Sequence, residues 1–441
     1  MSDDRVTGDD RVAAEGAVAP LVAAAPAAEL AAPAYWTPPT DLITVADIEA
    51  AERGLAGIAR ITPLEPCRPL SARIGGPAWL KCENLQRAGS YKVRGAYTRI
   101  SRLTEAERAN GVVAASAGNH AQGVAVAASL LGTPATVFMP VGAPLPKIAA
   151  TRGYGATIHL SGDTIDEALV EAEAFERRTG AVLIHPFDHP DVIAGQGTVA
   201  LEILEQCPDV ATVIVGVGGG GLISGLGVAF RARKPDIRLI GVQAVGAAAV
   251  PASLAAGHPV RLANMSTIAD GIAVGRPGDV TFAHLSKTVD EVVTVTEEDI
   301  SRALLMLLER SKLVVEPAGA VGVAAVMAGV VDVKPPVVIL LTGGNIDPLL
   351  MLRVIEHGLA AAGRYLRIRV RCGDRPGQLA ALLSEIAHQG ANVVDVEHQR
   401  HDQRLRLGEV EVGLAVETRG SEHSDHLIQA LRAAGYTVTP E

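Results

Sequence analysis

From residue 44 to about residue 358 the chain alternates short β-branched runs with Ala-rich stretches whose apolar residues recur every three or four positions. The runs at 112–115, 135–139, 157–160, 213–215, 239–242 and 337–341 read as buried strands. Segments such as 121–131 and 166–178 read as the helices between them. Parallel strands need long crossovers, and helices are what usually fill them. The pattern therefore predicts an α/β body built on open, mostly parallel sheets. Thr44 with Asp47 three residues on is a capping box at the start of the first helix.

The tail follows a different rule. Residues 365–371 alternate, with Leu366, Ile368 and Val370 on one face. Pro376 opens a helix carrying Leu379, Leu382, Leu383 and Ile386 on one side, ended by Gly390. Residues 393–400 and 409–418 alternate again, 421–434 form a second amphipathic helix, and 436–439 close the set. The order is βαββαβ, a ferredoxin-like module of about 75 residues. The expected organisation is a disordered Ala/Pro-rich extension (1–40), a catalytic body (41–358), a Gly-flanked hinge and linker (359–364) and the small module (365–441). A chain of 441 residues exceeds one compact domain, which agrees.

Composition limits the partners. The formal charge is −10 with no run of Lys or Arg, which argues against nucleic acid. The longest uncharged stretch, 211–230, has the length of a membrane span, yet Gly216, Gly218, Gly219, Gly220, Gly221, Gly225 and Gly227 mark it as strand, loop and helix start. An acidic leading segment and Pro20, Pro26 and Pro33 weigh against an export signal. Cys67, Cys82, Cys207 and Cys372 lie far apart, as in a reducing cytosol, so a cytoplasmic protein with no membrane partner is expected.

The chemistry concentrates in four places. Val217-Gly218-Gly219-Gly220-Gly221-Leu222 joins a strand to a helix, and four bare residues let backbone N–H groups converge on an anion at the helix N-terminus. A dinucleotide would need an acidic residue ending the next strand, where Gln243 stands, and no G-x-x-x-x-G-K-[ST] exists for a triphosphate. One phosphate fits better. Lys92 sits in Gly89-Ser90-Tyr91-Lys92-Val93-Arg94-Gly95-Ala96 at a helix start, where desolvation makes an amine nucleophilic toward carbonyls. An aldehyde cofactor bearing one phosphate needs both features. Ser116-Ala117-Gly118-Asn119-His120 and Thr342-Gly343-Gly344-Asn345 follow strands at their carboxyl ends, where α/β sites collect. Either would be an ordinary turn by itself. The pair His185 and His189 has metal-like spacing, but Pro186 and Pro190 keep both rings off one helix face, so no metal is expected. Glu316, before Pro317, is balanced between proton carrier and helix-terminal structural residue.

These segments, with Glu316-Pro317-Ala318-Gly319-Ala320, stand in the order of fold-type-II pyridoxal-phosphate enzymes, and the chain resembles threonine dehydratases (threonine ammonia-lyases) in particular. Asp374-Arg375-Pro376-Gly377-Gln378-Leu379 resembles an ACT regulatory domain. The resemblance implies two α/β subdomains with open twisted sheets, bound pyridoxal 5'-phosphate and a C-terminal ACT domain. Lys92 resembles the Schiff-base lysine, and Gly218 to Gly221 with Leu222 the phosphate cup. Asn119 resembles the partner of the cofactor's ring oxygen, and Thr342 the partner of its pyridine nitrogen, a position where Ser is commoner. Ser116, Ala117, Gly118, Asn119 and His120 resemble the loop that receives the substrate carboxylate.

The implied activity is conversion of L-threonine to 2-oxobutanoate and ammonia, with L-serine as a second substrate. Serine or hydroxyaspartate dehydratase shares the same segments, and a weakly catalytic amino-acid sensor is the alternative of another class. Serine racemases place a second serine where Ala117 stands and acidic metal ligands where Gln243, Ala247 and Ala249 stand, which disfavours racemisation. The ACT resemblance implies an amino-acid effector near Gly390-Ala391-Asn392, isoleucine inhibition and a homotetramer.

Overall fold

Buried parallel strands dominate the computed structural model, which describes residues 36–40, 42–400 and 405–440. In chain order the body strands are β1 (Leu64–Pro66), β2 (Ala78–Lys81), β3 (Val112–Ala115), β4 (Ala135–Met139), β5 (Thr157–Leu160), β6 (Val182–Leu183), β7 (Thr212–Gly216), β8 (Arg238–Ala244), β9 (Glu291–Val295) and β10 (Val337–Leu340). One sheet runs β1-β2-β10-β7-β8-β9, parallel except for β1, and a second runs β5-β4-β3-β6, parallel throughout. This is the expected α/β body with two sheets. β1, β2, β6 and β9 are additional strands, outside the apolar runs that the sequence marks.

The larger sheet shows why its strands read as continuous apolar runs. Ile214, Ile339 and Val337 face one core, packed on the helices Glu297–Met306 and Pro317–Ala328. Val213, Val215, Val338 and Leu340 face the other, packed on Pro190–Gln206 and Gly221–Arg233. Successive side chains alternate faces and both faces are dry, so apolar residues dominate, with the partnered Lys81, Thr212 and Gln243 the buried polar exceptions near strand ends. Full burial of each such side chain is worth about 1.5–3 kcal/mol. With few aromatics, the helices approach closely and Ala, Val, Leu and Ile fill the space.

A buried ionic cluster ties the start of the helix Lys92–Ser101 to the body. Arg94 donates to Glu83 at 2.8 and 2.9 Å and reaches Glu202 at 2.7 Å, while Lys81 meets Glu202 at 2.6 Å. Two cations face two carboxylates. Burial pushes the Glu83 carboxyl up, but the Arg94 charge and hydrogen bonds, helped by Thr62 and Lys81, hold it below the usual range. Stability from Glu83 is thus present above its unfolded value, about 4.3, and is lost as pH falls through the folded one. Glu83→Gln, which strands a buried cation, is expected to destabilise the protein by about 3–5 kcal/mol. Thermal melts at neutral pH check this, and a loss under about 1 kcal/mol would show the cluster dispensable.

The tail forms a separate antiparallel sheet from β11 (Tyr365–Gly373), β12 (Asn392–Gln399), β13 (Glu409–Glu417) and β14 (Thr437–Pro440), in the order β12-β13-β11-β14. The helices Gln378–His388 and Ser421–Ala433 cover one face around Ile368, Val370, Val412, Leu382, Ile386 and Leu427. This is the expected ferredoxin-like order. The segment read as a hinge is different: the helix Pro348–Ala361 runs through it. A Cβ at Gly358 would lie 3.1 Å from Ser301 O, so that glycine serves close helix packing, and the turn falls at Gly363 (φ +65°). Thr418 Oγ1 then donates to Gly363 O at 2.6 Å, and Arg364 pairs with Glu309 at 2.5 Å. Residues 1–35 lie outside the described residues. Trp36, inside the segment read as disordered, is anchored: its indole donates to Asp279 at 2.9 Å and meets Phe282 edge-on at 5.4 Å. Among the described residues no helix is long and apolar enough to cross a membrane, and 211–230 is strand β7, the glycine loop and the next helix.

Candidate active site

The carboxyl ends of β3, β7 and β10 open onto one cavity of about 740 Å³, within the range of small-molecule sites. Lys92, Ser116, Ala117, Gly118, Asn119, His120, Gly218 to Gly221, Leu222 and Thr342 all line it. The lysine, the glycine loop, the 116–120 loop and the threonine read from the sequence are therefore brought together, although Lys92 and Thr342 stand 250 positions apart.

Backbone pairing explains how. Tyr91 N–H donates to Thr342 O at 3.3 Å, Gly344 N–H to Gly89 O at 2.9 Å, and Ser90 bridges Gly343. The segment before Lys92 is thus stitched to the turn after β10. Lys92 Nζ donates to Pro186 O at 2.8 Å and lies 5.3 Å from the Tyr91 ring. Burial lowers its amine to about 8, with the Glu316 charge opposing. A substantial neutral fraction near neutrality is what a nucleophile or base requires.

The glycine loop is pinned from behind. Val217 O accepts Gln243 Nε2 at 3.0 Å, and Gly219 O accepts Thr281 Oγ1 at 2.6 Å. Because trans peptides point N–H opposite to C=O, the N–H groups of Gly218 and Gly220 face away from those anchors. Gly220 caps the helix Gly221–Arg233 with φ +99°, and the first-turn N–H groups have no intrahelical acceptor. A Cβ at Gly219 would lie 2.4 Å from the Phe187 ring, so a side chain there would displace the loop or the ring. A backbone cradle that only glycine permits, beside a sheltered amine, fits a ligand with one phosphate and one carbonyl. Gln243, whose Oε1 also accepts Val250 N–H at 2.9 Å, is a brace and leaves no ribose partner.

The opposite wall is the helix start at Asn119. Ser116 Oγ accepts Gly118 N–H at 3.2 Å. Asn119 Nδ2 donates to Glu316 at 2.5 Å, and its Oδ1 accepts Asn345 Nδ2 at 2.8 Å. His120 Nε2 donates to Ile184 O at 2.7 Å, and burial, then the Lys92 charge, lowers its imidazole to about 3, so it is neutral. Thr342 is buried, with its hydroxyl 3.5 Å from Ala318 O.

Several wall residues escaped sequence reasoning. The segment His185-Pro186-Phe187-Asp188-His189 reads from the sequence only as a disfavoured metal pair. His185 Nδ1 accepts Asp188 N–H at 2.7 Å and His189 Nδ1 accepts Asp191 N–H at 3.1 Å, so both rings cap backbone. Pro186 supplies the lysine's acceptor, and Phe187 backs the glycine loop. Lys147 and Asp270 pair at 2.5 Å on the cavity wall. No spacing rule links these residues to Lys92.

Residues 55–343 match the pyridoxal-phosphate dependent enzymes, and residues 366–435 match the ACT domain. An L-threonine ammonia-lyase of Thermotoga maritima is 49% identical over 90% of this chain and 99% of its own. Among solved structures, a processed threonine deaminase isoform 2 from Solanum lycopersicum is 39% identical with a TM-score of 0.68, covering 71% of this chain and 92% of that one. Maize serine racemase is 36% identical, also with a TM-score of 0.68, over 72% and 98%. With that match joined to a glycine cradle and a sheltered lysine in one cavity, the chain belongs to the pyridoxal-phosphate-dependent enzymes and carries a C-terminal ACT domain.

Proposed function

We propose that the protein is a threonine ammonia-lyase, converting L-threonine to 2-oxobutanoate and ammonia, with L-serine as a secondary substrate giving pyruvate. The observation that carries this is the placing of Lys92 Nζ, outside any ion pair among the described residues, in one cavity with the glycine loop and with a hydroxyl, Thr342, at the end of β10. Bound pyridoxal phosphate supplies an aldehyde that links to the substrate amine and a ring that accepts electrons from Cα. The N–H groups at Gly218 to Gly221 and Leu222 would hold its phosphate. Asn119 Nδ2 would serve its ring oxygen, and Thr342 Oγ1 its ring nitrogen. Within the 116–120 loop, the Ala117 N–H and the first-turn N–H groups at Asn119 and His120 would receive the substrate carboxylate, since Ser116 N–H is given to Phe138 O and Gly118 N–H to Ser116 Oγ.

Lys92, with its Nζ unbound once the substrate amine is engaged, would take the Cα proton at that atom. A threonine hydroxyl, unlike a carboxylate, does not keep the ring nitrogen protonated. That favours prompt loss of the β-hydroxyl over transamination or racemisation. The released enamine tautomerises and hydrolyses, which returns the water and yields 2-oxobutanoate and ammonia. Racemisation also wants a proton donor on the opposite face, where Ala117 presents only a methyl group.

In this reading the ACT module binds an amino-acid effector near Gly390 (φ +73°), with isoleucine as inhibitor, in a cytoplasmic homotetramer. Arg419 donates to Gly390 O at 3.3 Å, so an effector there displaces or engages that guanidinium. The test is 2-oxo-acid formation from L-threonine and L-serine by cofactor-loaded protein, with and without isoleucine. Expected is a threonine preference and an isoleucine-dependent loss of rate. A coloured protein that turns over neither amino acid would sink the lyase reading and favour the sensor.

A further inference from the structure

Glu316 occupies the N-cap position of the helix Pro317–Ala328, yet its side chain makes no capping hydrogen bond. Its carboxyl points to Asn119 Nδ2 at 2.5 Å, and Asn119 is fixed on its other side by Asn345, whose Nδ2 also reaches Ala88 O at 2.6 Å. The Asn119 amide is therefore clamped in one orientation. One N–H goes to Glu316, and the second, on a wall of the cavity, has no acceptor among the described residues. The carboxyl is packed against backbone: a Cβ at Gly343 would lie 2.2 Å from Glu316 Oε1. No cation among the described residues lies within ion-pair distance of it. The charged and titratable groups around it are Lys92 and Tyr91 from the helix start, Lys147 from the helix Leu145–Gly153 and Asp270 from the turn facing it. Lys147 is already paired with Asp270.

We propose that Glu316 is a positioning residue for the reaction: it acts through Asn119, holding that amide toward the cofactor's ring oxygen and, by gaining or losing one proton, setting the negative charge on that side of the ring. A buried carboxyl with an amide partner and no cation resists ionisation. Burial, then Asp270, raises Glu316 to about 7, against the opposing pull of Asn119, Lys147 and Lys92. Two anions sharing one amide disfavour each other, so Glu316 and the ring oxygen are coupled. Below neutrality Glu316 is neutral, and its carbonyl oxygen still accepts one Asn119 N–H without adding charge beside the ring oxygen. Above it, the added charge raises the proton affinity of every nearby nitrogen, Lys92 included. The role rests on the placing of Asn119 in the functional reading above.

The test is the visible absorbance of the full-length, cofactor-loaded protein without amino acid, titrated from about pH 6 to 9 in wild type, E316Q and E316D. Wild type is expected to show an inflection near neutrality. E316Q should lose it and keep the wild-type low-pH spectrum throughout, because an amide cannot ionise. E316D should keep an inflection at a displaced pH, and the acid limb of kcat against pH should move with it. A structural role alone would change melting temperature and leave the inflection in place. E316Q with the wild-type inflection overturns the proposal. Should E316Q not retain cofactor, E316D titrating where wild type does overturns it equally. The spectra need no substrate, so a protein that titrates as expected but ignores threonine would refute the lyase reading while sparing this one.

Discussion

Lys92→Ala is expected to lower turnover of threonine by at least about 10³-fold while leaving the fold intact, because in the proposed reaction the amine is both attachment point and base. The side chain is isolated enough for a clean test. Among the described residues its amine has one hydrogen bond, to Pro186 O, and no carboxylate partner within ion-pair distance. Removing it therefore costs about 0.5–1.5 kcal/mol of hydrogen bonding and relieves a desolvated amine, so the melting temperature should barely move. Borohydride should fix the cofactor to the Lys92 peptide in wild type, read by mass, and to no peptide in the variant. Turnover within tenfold of wild type would remove Lys92 from the centre of the reaction. Here the comparison with Glu83→Gln is informative. Glu83 lies nine residues earlier on the chain and should cost stability first, whereas Lys92 should cost chemistry alone.

What the sequence could disclose follows from what periodicity reports. Alternation and apolar runs tell which faces of a segment are buried, so 112–115, 135–139 and 213–215 are legible as strands, and 421–434 as an amphipathic helix. They do not tell which segment lies opposite. Phe187 and Gly219 meet because the loop after β6 passes behind the turn after β7, and nothing local to either marks it. Asn119 and Glu316 lie 197 positions apart, and their 2.5 Å contact exists only once β3 and β10 direct their carboxyl ends into one cavity. Glycine is ambiguous for a related reason. Gly220 is needed for a positive φ, but Gly358 is needed for space beside Ser301, and a hinge, a turn and a packed helix share that letter. Lys92 was legible because its neighbours are small and it sits in a fixed order with four other segments, which is chemical information that periodicity lacks.

Gly219→Ala is expected to weaken pyridoxal-phosphate binding by about 100-fold with a much smaller effect on kcat at saturating cofactor. The new methyl would stand 2.4 Å from Cγ, Cδ2 and Cε2 of Phe187. The ring cannot simply retreat. It meets His185 edge-on at 4.7 Å, and Asp188 beside it accepts the N–H groups of Asp279 and Thr281 at 3.0 and 2.9 Å, fixing that stretch to the next helix. The loop must therefore move into the cavity, which turns the N–H groups of Gly220 and Gly221 away from their anion. Charge-assisted hydrogen bonds are worth about 1.5–3 kcal/mol each, and each 1.4 kcal/mol is tenfold in affinity, so losing one or two gives the stated effect. Gly218→Ala is the graded control, because its methyl would meet Ile272 and Val274 at 3.2 Å, where small shifts suffice. Titration of cofactor-free protein, followed by absorbance, measures all three affinities. The order wild type, Gly218→Ala, Gly219→Ala places the phosphate on this loop, whereas equal affinities would place it elsewhere. Lys92→Ala should lose rate without this loss of phosphate affinity, so the two variants separate the anchoring of the cofactor from its chemistry.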